Sequence, residues 1–546
     1  MGMENEPTGL NPNVLYDLAV LGQETQAAER FWGPIPPTLG ELQNYVDNTP
    51  NHHPDIEQLK NKLVEFHKNL GIFSPKVEQH LNYLSNGSIL AGQQPVILGG
   101  PGFIANKLGL LAAMTRNLKD SGHQFAPVFM IGDYDGLQKE LGRTYFPNPI
   151  SGHATILDSE HVLDFPEETA IYTVDIHDEE WLVETLHLID GSFRGFKKQV
   201  KDISKRKILD ERWDHIQTFL RLLHFQSEKF PDFFARIWGT IANKINDYGI
   251  IFLPTSFPEI RKLYVPALYS LMTAQKQYVE TFNRTYDELI KLGYAPTLPK
   301  RNHHYLPVYF ECPCTDFRVS LELYYREGRP IAAGECKNCG HTVEIPLDDI
   351  SHLEENASRI GLRVDSSQIA FQDLLNIKIR ISGPGEIAYY SVVAPSLKKS
   401  GFKLPVFFKY KRAFYNSPWI EKLGKLLQQR KQPTLHTDKL FVLLKNRIQA
   451  IRNKDPNLWS TTEIELKKFI EAQYSGLLKY EQKLDAQKYL AWMFGRFTPH
   501  KFGQEVSWTW IDMALQTGLS DYIPTYERMY HPFSKPGLFH FINTTL

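Results

Sequence analysis

"PVILGGPGFIANKLGLLAAM", Pro95 to Met114, places an apolar run, a glycine-rich bend and a helix-like stretch in direct succession. Gly100, Gly102 and Ala105 fit the G-x-G-x-x-G/A spacing by which a dinucleotide-binding turn cradles a pyrophosphate. That fingerprint also requires an acidic residue about 20 positions on, at the end of the next strand. Here the next strand-like run closes on "GDYD", with Asp133 well past that distance. The "GQQP" just upstream, Gly92 to Pro95, has no part in a dinucleotide turn either. The bend fits an α/β fold and leaves its ligand open.

Working outward, five short apolar runs predict a parallel sheet: "SILAG" (88–92), "APVFMIG" (126–132), "GIIFLP" (249–254), "IKIRIS" (377–382) and "LPVFFKY" (404–410). Helix-like segments separate them, notably 103–119, 214–246 and 387–400. This alternation implies a doubly wound α/β domain that binds ligands at the carboxyl ends of its strands. Residues 1–85 read as a helical segment. The sheet core takes 86–300 and resumes over 351–412, with an insertion at 301–350 between them. A C-terminal helical region covers 413–546, with long amphipathic stretches at 436–453 and 461–485.

The chain has 546 residues and a net charge of −1, which gives no global field to attract nucleic acid or an anionic membrane. No apolar run approaches the roughly 20 residues of a spanning helix. The first residues carry neither a basic nor an apolar leader, so a cytoplasmic location is expected.

All four cysteines fall in one short stretch: Cys312 and Cys314 in "CPC", Cys336 and Cys339 in "CKNC". Between them lies a segment that alternates like two strands turning at "REGR". Two thiolate pairs on tight turns supply the four soft ligands of a closed, tetrahedral zinc ribbon. A pair of disulfides is disfavoured in a reducing cytosol. A redox pair at Cys336 and Cys339 leaves Cys312 and Cys314 without a role. His341, just beyond, is read as a neighbour rather than a ligand. The histidine pairs in "NHHP" (51–54) and "NHHY" (302–305) are read as surface loops, and "KKQVKDISKRK" (197–207) as a solvated basic face.

Four motifs in the same order, "AGQQPVILGGPGFIANKL", "APVFMIGDYDGLQKEL", "ISGPGEIAYY" and "GFKLPV", resemble the bacillithiol biosynthesis cysteine-adding enzyme family. The resemblance covers roughly 86–145 and 370–412. It implies a Rossmann-like core with inserted modules, a C-terminal coiled coil, a homodimer and a cysteine-ligase activity on a small-molecule substrate. Carried over by position, Gly92, Gln93 and Gln94 match the family's G-Q-Q. Gly100 and Pro101 match its glycine-proline turn, and Lys107 its helix-borne lysine. The family's histidine before that lysine is Asn106 here, and its acidic cluster, aligned on Tyr134, Asp135, Gly136, Leu137 and Glu140, survives only at Asp135 and Glu140. Gly383, Pro384, Gly385 and Glu386 match fully, with Tyr389 behind. A family arginine falls on Tyr410, close to Arg412.

Asp135, Glu140 and Glu386 are thus the candidate catalytic acids, each with an ordinary alternative as a loop acid or a helix cap. Gly92, Gln93, Gln94, Gly100, Gly102, Lys107, Gly383, Gly385 and Tyr389 are the candidate substrate or nucleotide contacts. The first-turn amides of Phe103 to Ala105 are expected to form an anion site, and Glu386 to offer negative charge to an amine. The implied reaction joins an amino acid to the amine of a sugar-like acceptor. Amide formation from a free carboxylate needs activation, so ATP or another nucleotide is the expected co-substrate. Two other functions compete: a dinucleotide-dependent oxidoreductase, and a non-catalytic zinc-ribbon protein that contacts protein or RNA.

Overall fold

The computed structural model describes residues 9–46, 56–148, 153–416 apart from 315, positions 443, 446 and 450, 455–474, and 504–544 apart from 532 and 534–536. In chain order its strands are β1 (Ser88–Gln93), β2 (Ala126–Ile131), β3 (Arg143–Asn148), β4 (His153–Asp158), β5 (Ile251–Pro254), β6 (Tyr305–Cys312) and β7 (Phe317–Arg326). Then follow β8 (Arg329–Glu335), β9 (Thr342–Pro346), β10 (Ile360–Leu362), β11 (Ile377–Ser382), β12 (Val406–Lys409), β13 (Arg412–Asn416) and β14 (Phe539–Asn543).

The five apolar runs each form a strand of one parallel sheet, in the order β12-β11-β1-β2-β5. The chain moves from β1 out to β2 and β5, then returns on the other side of β1 with β11 and β12. The order therefore reverses between β1 and β11, and a crevice at their carboxyl ends is where doubly wound folds bind ligands.

Alternation along the strands feeds two cores, because successive side chains point to opposite faces. Ile89, Ala91, Phe129, Ile131 and Phe252 pack with the Phe103–Asp120 helix and the C-terminal helices. Leu90, Val128, Met130, Ile251 and Leu253 pack on the other face with helices Glu57–Asn69, Pro75–Leu81 and Pro258–Thr273. Both faces are buried, which is why these strands read as continuous apolar runs.

The helix-like stretch 214–246 is two α-helices, Ile203–Phe225 and Phe230–Gly239, the second continued by a π turn. Pro231 in the first turn of the second helix fits a start and not an interior. The cysteine-bearing segment builds a five-stranded antiparallel sheet, β10-β6-β7-β8-β9, whose last strand in chain order, β10, lies past residue 350. Its Leu306, Val308, Phe310, Leu321 and Ile345 join the second core, so the module is fused to the α/β domain by shared apolar packing.

The region from 413 onward is not purely helical. Residues 412–416 form β13, paired in parallel with β14 near the far end of the chain. Ala413 and Tyr415 donate their N–H groups to the side chains of Glu505 and Gln504. Those partners are about 90 residues away, so local periodicity could not reveal the strand. Pro456–Tyr474, Gln504–Ser507, Ile511–Thr517 and Leu519–Arg528 are helices. Most of 436–453, the end of 461–485, "GRFTPHKF" and "NHHP" lie outside the described residues.

Candidate active site at the strand ends

Lys107, in the second turn of the Phe103–Asp120 helix, sends its ammonium back to the end of β1. It donates to the Gly92 carbonyl at 2.7 Å, to Gln93 Oε1 at 3.4 Å and to Glu386 Oε2 at 2.9 Å. Glu386 is in the first turn of the Pro384–Lys399 helix, just after β11, where it also accepts the Gly383 N–H at 2.7 Å. Its second oxygen receives Arg380 Nη2 at 3.3 Å. Arg380 lies within β11 and is itself held by Gln368 Oε1 at 3.1 Å. Gly92, Gln93, Lys107, Gly383 and Glu386 therefore meet where the strand order reverses.

The lysine is not on a solvated helix face. Its side chain is 2% exposed and that of Glu386 is 18% exposed. Burial alone would raise the Glu386 carboxyl, but Lys107, Arg380 and the Gly383 N–H outweigh it and hold it below its ordinary value. Glu386 is therefore a compensated anion and the cap of its own helix. Of the two readings of Glu386, a carboxylate for a substrate amine and a cap on the following helix, the cap is what the geometry shows, with two cations sharing the carboxylate.

Beyond β2, Asp135 accepts Gln94 Nε2 at 2.7 Å and faces Arg318 at 3.5 Å. Burial raises its carboxyl, with Arg318 and Gln94 pulling it back. Asp133, two residues earlier, is fully enclosed. It accepts the Thr255 N–H at 2.8 Å, the Ser256 N–H at 2.9 Å and the Ser256 hydroxyl at 2.6 Å, tying the end of β2 to the end of β5. Glu140 is on an exposed turn, Lys139–Gly142, outside this constellation. Gly385 is exposed, and Tyr389 is half-buried against Tyr390.

The glycine bend has a different role from the one its spacing suggested. Gly100 is left-handed at φ +79°, and a Cβ there would sit 2.9 Å from Val96 Cβ. The Gly102 N–H donates to the Trp508 carbonyl at 3.2 Å, and the Ile104 and Ala105 N–H groups turn back to Pro101 and Gly102. A Cβ on Gly102 would meet the hydroxyls of Tyr522 and Tyr526 at 3.4 and 3.6 Å. The bend thus docks the C-terminal segment, and of the amides expected to form an anion site those of Ile104 and Ala105 are turned back into the bend itself. The same contacts occupy the turn that an oxidoreductase would use for a pyrophosphate.

Asn106 completes that dock. Its amide donates to the Lys411 carbonyl at 2.8 Å and to Glu505 at 3.0 Å, while the Tyr530 hydroxyl donates to its oxygen at 2.6 Å. A histidine has no single atom set for this triple contact, since each ring nitrogen either donates or accepts.

The four cysteines form one group with all sulfurs within 4.8 Å of one another. Cys312 and Cys339 are 3.6 Å apart, Cys314 and Cys336 3.8 Å. Tetrahedral zinc with Zn–S bonds of about 2.3 Å would space its sulfurs by about 3.8 Å. A disulfide needs about 2.05 Å, so these are four thiols that can hold a metal such as zinc. The "CKNC" turn is closed by the Gly340 N–H on the Cys336 carbonyl and the Cys336 N–H on the His341 carbonyl. His341 takes part through its backbone and is exposed. His304 of "NHHY" is held by the Leu323 carbonyl at 2.7 Å and stacks on Tyr324.

Arg380 and Arg318 were not singled out from the sequence, and Asp133 entered only as an acid too far along for a dinucleotide turn. A charged residue inside an otherwise apolar strand, as in "IKIRIS", was the available signal for Arg380.

A family model described as "Bacillithiol biosynthesis BshC, N-terminal Rossmann-like domain" matches residues 19–312, more than half of the chain. The chain belongs to this family. The match ends at Cys312, the first of the four cysteines, so the remaining cysteines and the β11 side of the site lie beyond it. Relatives that carry the name "Putative cysteine ligase BshC" include the following three. The Bacillus cereus (strain G9842) protein is 23% identical over 58% of this chain and 53% of its own length. The Desulforamulus reducens protein is 21% identical over 68% of this chain and 63% of its own length. The Staphylococcus aureus (strain NCTC 8325 / PS 47) protein is 22% identical over 67% of this chain and 63% of its own length. The chain thus matches between about half and two-thirds of these family members.

Proposed function

We propose that this family member is a carbon–nitrogen ligase acting on cysteine, as its relatives' name suggests, and that the acceptor is the amine of a sugar-like molecule, as the motif resemblance implies. The observation that carries the reading is the Lys107–Glu386–Arg380 cluster at the β1/β11 reversal. It places two cations and one anion where a doubly wound fold binds substrate. Lys107 and Arg380 suit the carboxylate of an incoming amino acid, which could share them with Glu386. Asp135, half-buried and shifted upward, suits the proton that leaves the attacking amine. In the reaction the amine nitrogen bonds to the acyl carbon as the activated carboxyl's leaving group departs. ATP or another nucleotide is the proposed source of that activation.

The four thiols are proposed to bind one structural zinc, a closed shell with no open coordination position. The protein is proposed to act as a homodimer in the cytoplasm.

A thermal-shift panel of ATP, CTP, NAD and NADP tests the nucleotide class. Stabilisation by ATP or CTP supports the ligase. Stabilisation by a dinucleotide alone would overturn it.

A further inference from the structure

We propose that the four-cysteine module is a working part of the strand-end site, because it carries Arg318 onto Asp135 and so sets that carboxylate's position. The proposal rests on the strand-end reading of Asp135 and on the four thiols acting as one metal site.

Arg318 is the second residue of β7, immediately after the loop that holds Cys312 and Cys314. It pairs across the ladder with Glu311, the residue before Cys312. The guanidinium lies over the Tyr309 ring at 4.0 Å and reaches out of the module toward the core. There Nη1 is 3.5 Å from Asp135 and 3.6 Å from Glu168. These contacts are long for ion pairs, and its buried Nε has no hydrogen-bond partner. Its placement is therefore set mainly by the strand that carries it and the ring beneath it.

The core side is shaped to receive it. A Cβ on Gly136 would lie 2.6 Å from Arg318 Nη1 and 2.9 Å from the Glu168 Cα, so only glycine leaves room for this approach. The backbone is joined there as well: the Arg318 N–H donates to the Glu168 carbonyl at 3.2 Å, and Phe317 bridges to Thr169. Leu137 N–H in turn donates to the Thr169 carbonyl at 2.7 Å. A movement of the "CPC" knuckle thus has two short routes to 133–137, one through a guanidinium and one through backbone. Gln94 holds the other oxygen of Asp135 from β1, so the carboxylate is gripped between the core sheet and the module.

The test uses the full chain and hydrogen–deuterium exchange, read over 312–319, 335–341, 133–137 and 167–170. Metal chelation and Cys314→Ser are each expected to raise exchange at the knuckles and also at 133–137 and 167–170. Gly136→Ala, which displaces the guanidinium without touching a cysteine, is expected to raise exchange at 133–137 while zinc stays at one equivalent. Arg318→Gln is expected to match it, so failure of one variant to fold leaves the other. Coupling is reciprocal, so Asp135→Asn should weaken metal retention against a chromophoric chelator by about fivefold. Knuckle exchange that rises while 133–137 stays unchanged would overturn the proposal, as would unaltered metal affinity in Asp135→Asn. If elemental analysis finds no metal, the zinc reading fails separately, and the Cys314→Ser exchange at 133–137 decides the coupling alone.

Discussion

Lys107 and Glu386 are 279 residues apart in the chain and 2.9 Å apart in the fold. One follows β1 and the other follows β11, so their contact closes the point where the strand order reverses. The lysine is enclosed, and the carboxylate keeps only a narrow opening to solvent.

Removing one member of such a pair leaves the other charge buried, at a cost of about 3 kcal/mol. Lys107→Met and Glu386→Gln are each expected to lower unfolding free energy by that order in urea melts. The double variant should lose clearly less than the sum, because neither of these two charges is then left facing the other's absence, while Arg380 loses Glu386 in the Glu386→Gln single and the double variant alike. Additive losses would show that the two side chains do not depend on each other.

The C-terminal dock is expected to weaken as pH rises. Burial pushes the Glu505 carboxyl up to about 7, with Arg412 and the Ala413 N–H opposing it, and burial pushes Asp512 up to about 7 as well. Unfolded carboxyls titrate near about 4. The folded chain therefore binds these protons more tightly, and the stability they give is fully present below about pH 4 and lost as pH rises from there through about 7. Between about pH 5 and about pH 7 the urea midpoint of Glu505→Gln should gain on that of the wild type, and above that range the difference should stay level. The buried His67, whose value burial lowers to about 4, acts in the opposite direction over the same range but is common to both proteins, so their difference isolates Glu505. Identical slopes in the two proteins would contradict the assignment.

Zinc is expected at one equivalent per chain by elemental analysis. Cys336→Ser should release it and loosen β6 to β9, since structural metal binding is coupled to local folding. Full retention of zinc in a variant lacking two of the cysteines would place the metal elsewhere.

The sheet was legible because its strands are buried on both faces, which writes β1, β2, β5 and β12 as largely apolar runs, while β11 kept its isoleucines at every second position around Lys378 and Arg380. The cysteine knuckles were legible because spacing within a short segment is a local property. The Lys107–Glu386 pair was legible only as two motifs, each near a strand end. What they do to each other depends on Arg380, a charge hidden inside a strand. The glycine bend misled for a physical reason: Gly100 and Gly102 do permit close approach, and what approaches is Trp508, Tyr522 and Tyr526. A spacing rule records that a backbone is open to contact and not which group makes it. The β13–β14 pairing was invisible for a related reason, its partner being over a hundred residues away.

The apolar stretch "LFVLLKNRIQAI" repeats at helical spacing, and the homodimer proposal assigns it a partner surface. Light scattering at micromolar protein should give about twice the chain mass of 63.0 kDa. A value near the single-chain mass would show that it packs on its own subunit.

The most direct measurement is product mass spectrometry on the wild type and Glu386→Gln, each given cysteine, an amino-sugar acceptor and either ATP or CTP. The expected result is an acceptor carrying one cysteine in amide linkage, formed by the wild type with one of the nucleotides. Its yield in Glu386→Gln should drop by about a hundredfold, the scale on which losing one positioned charge acts. Equal yields from folded wild type and Glu386→Gln would contradict the strand-end site. The absence of any cysteine-bearing amide from the wild type under every nucleotide would contradict the ligase itself.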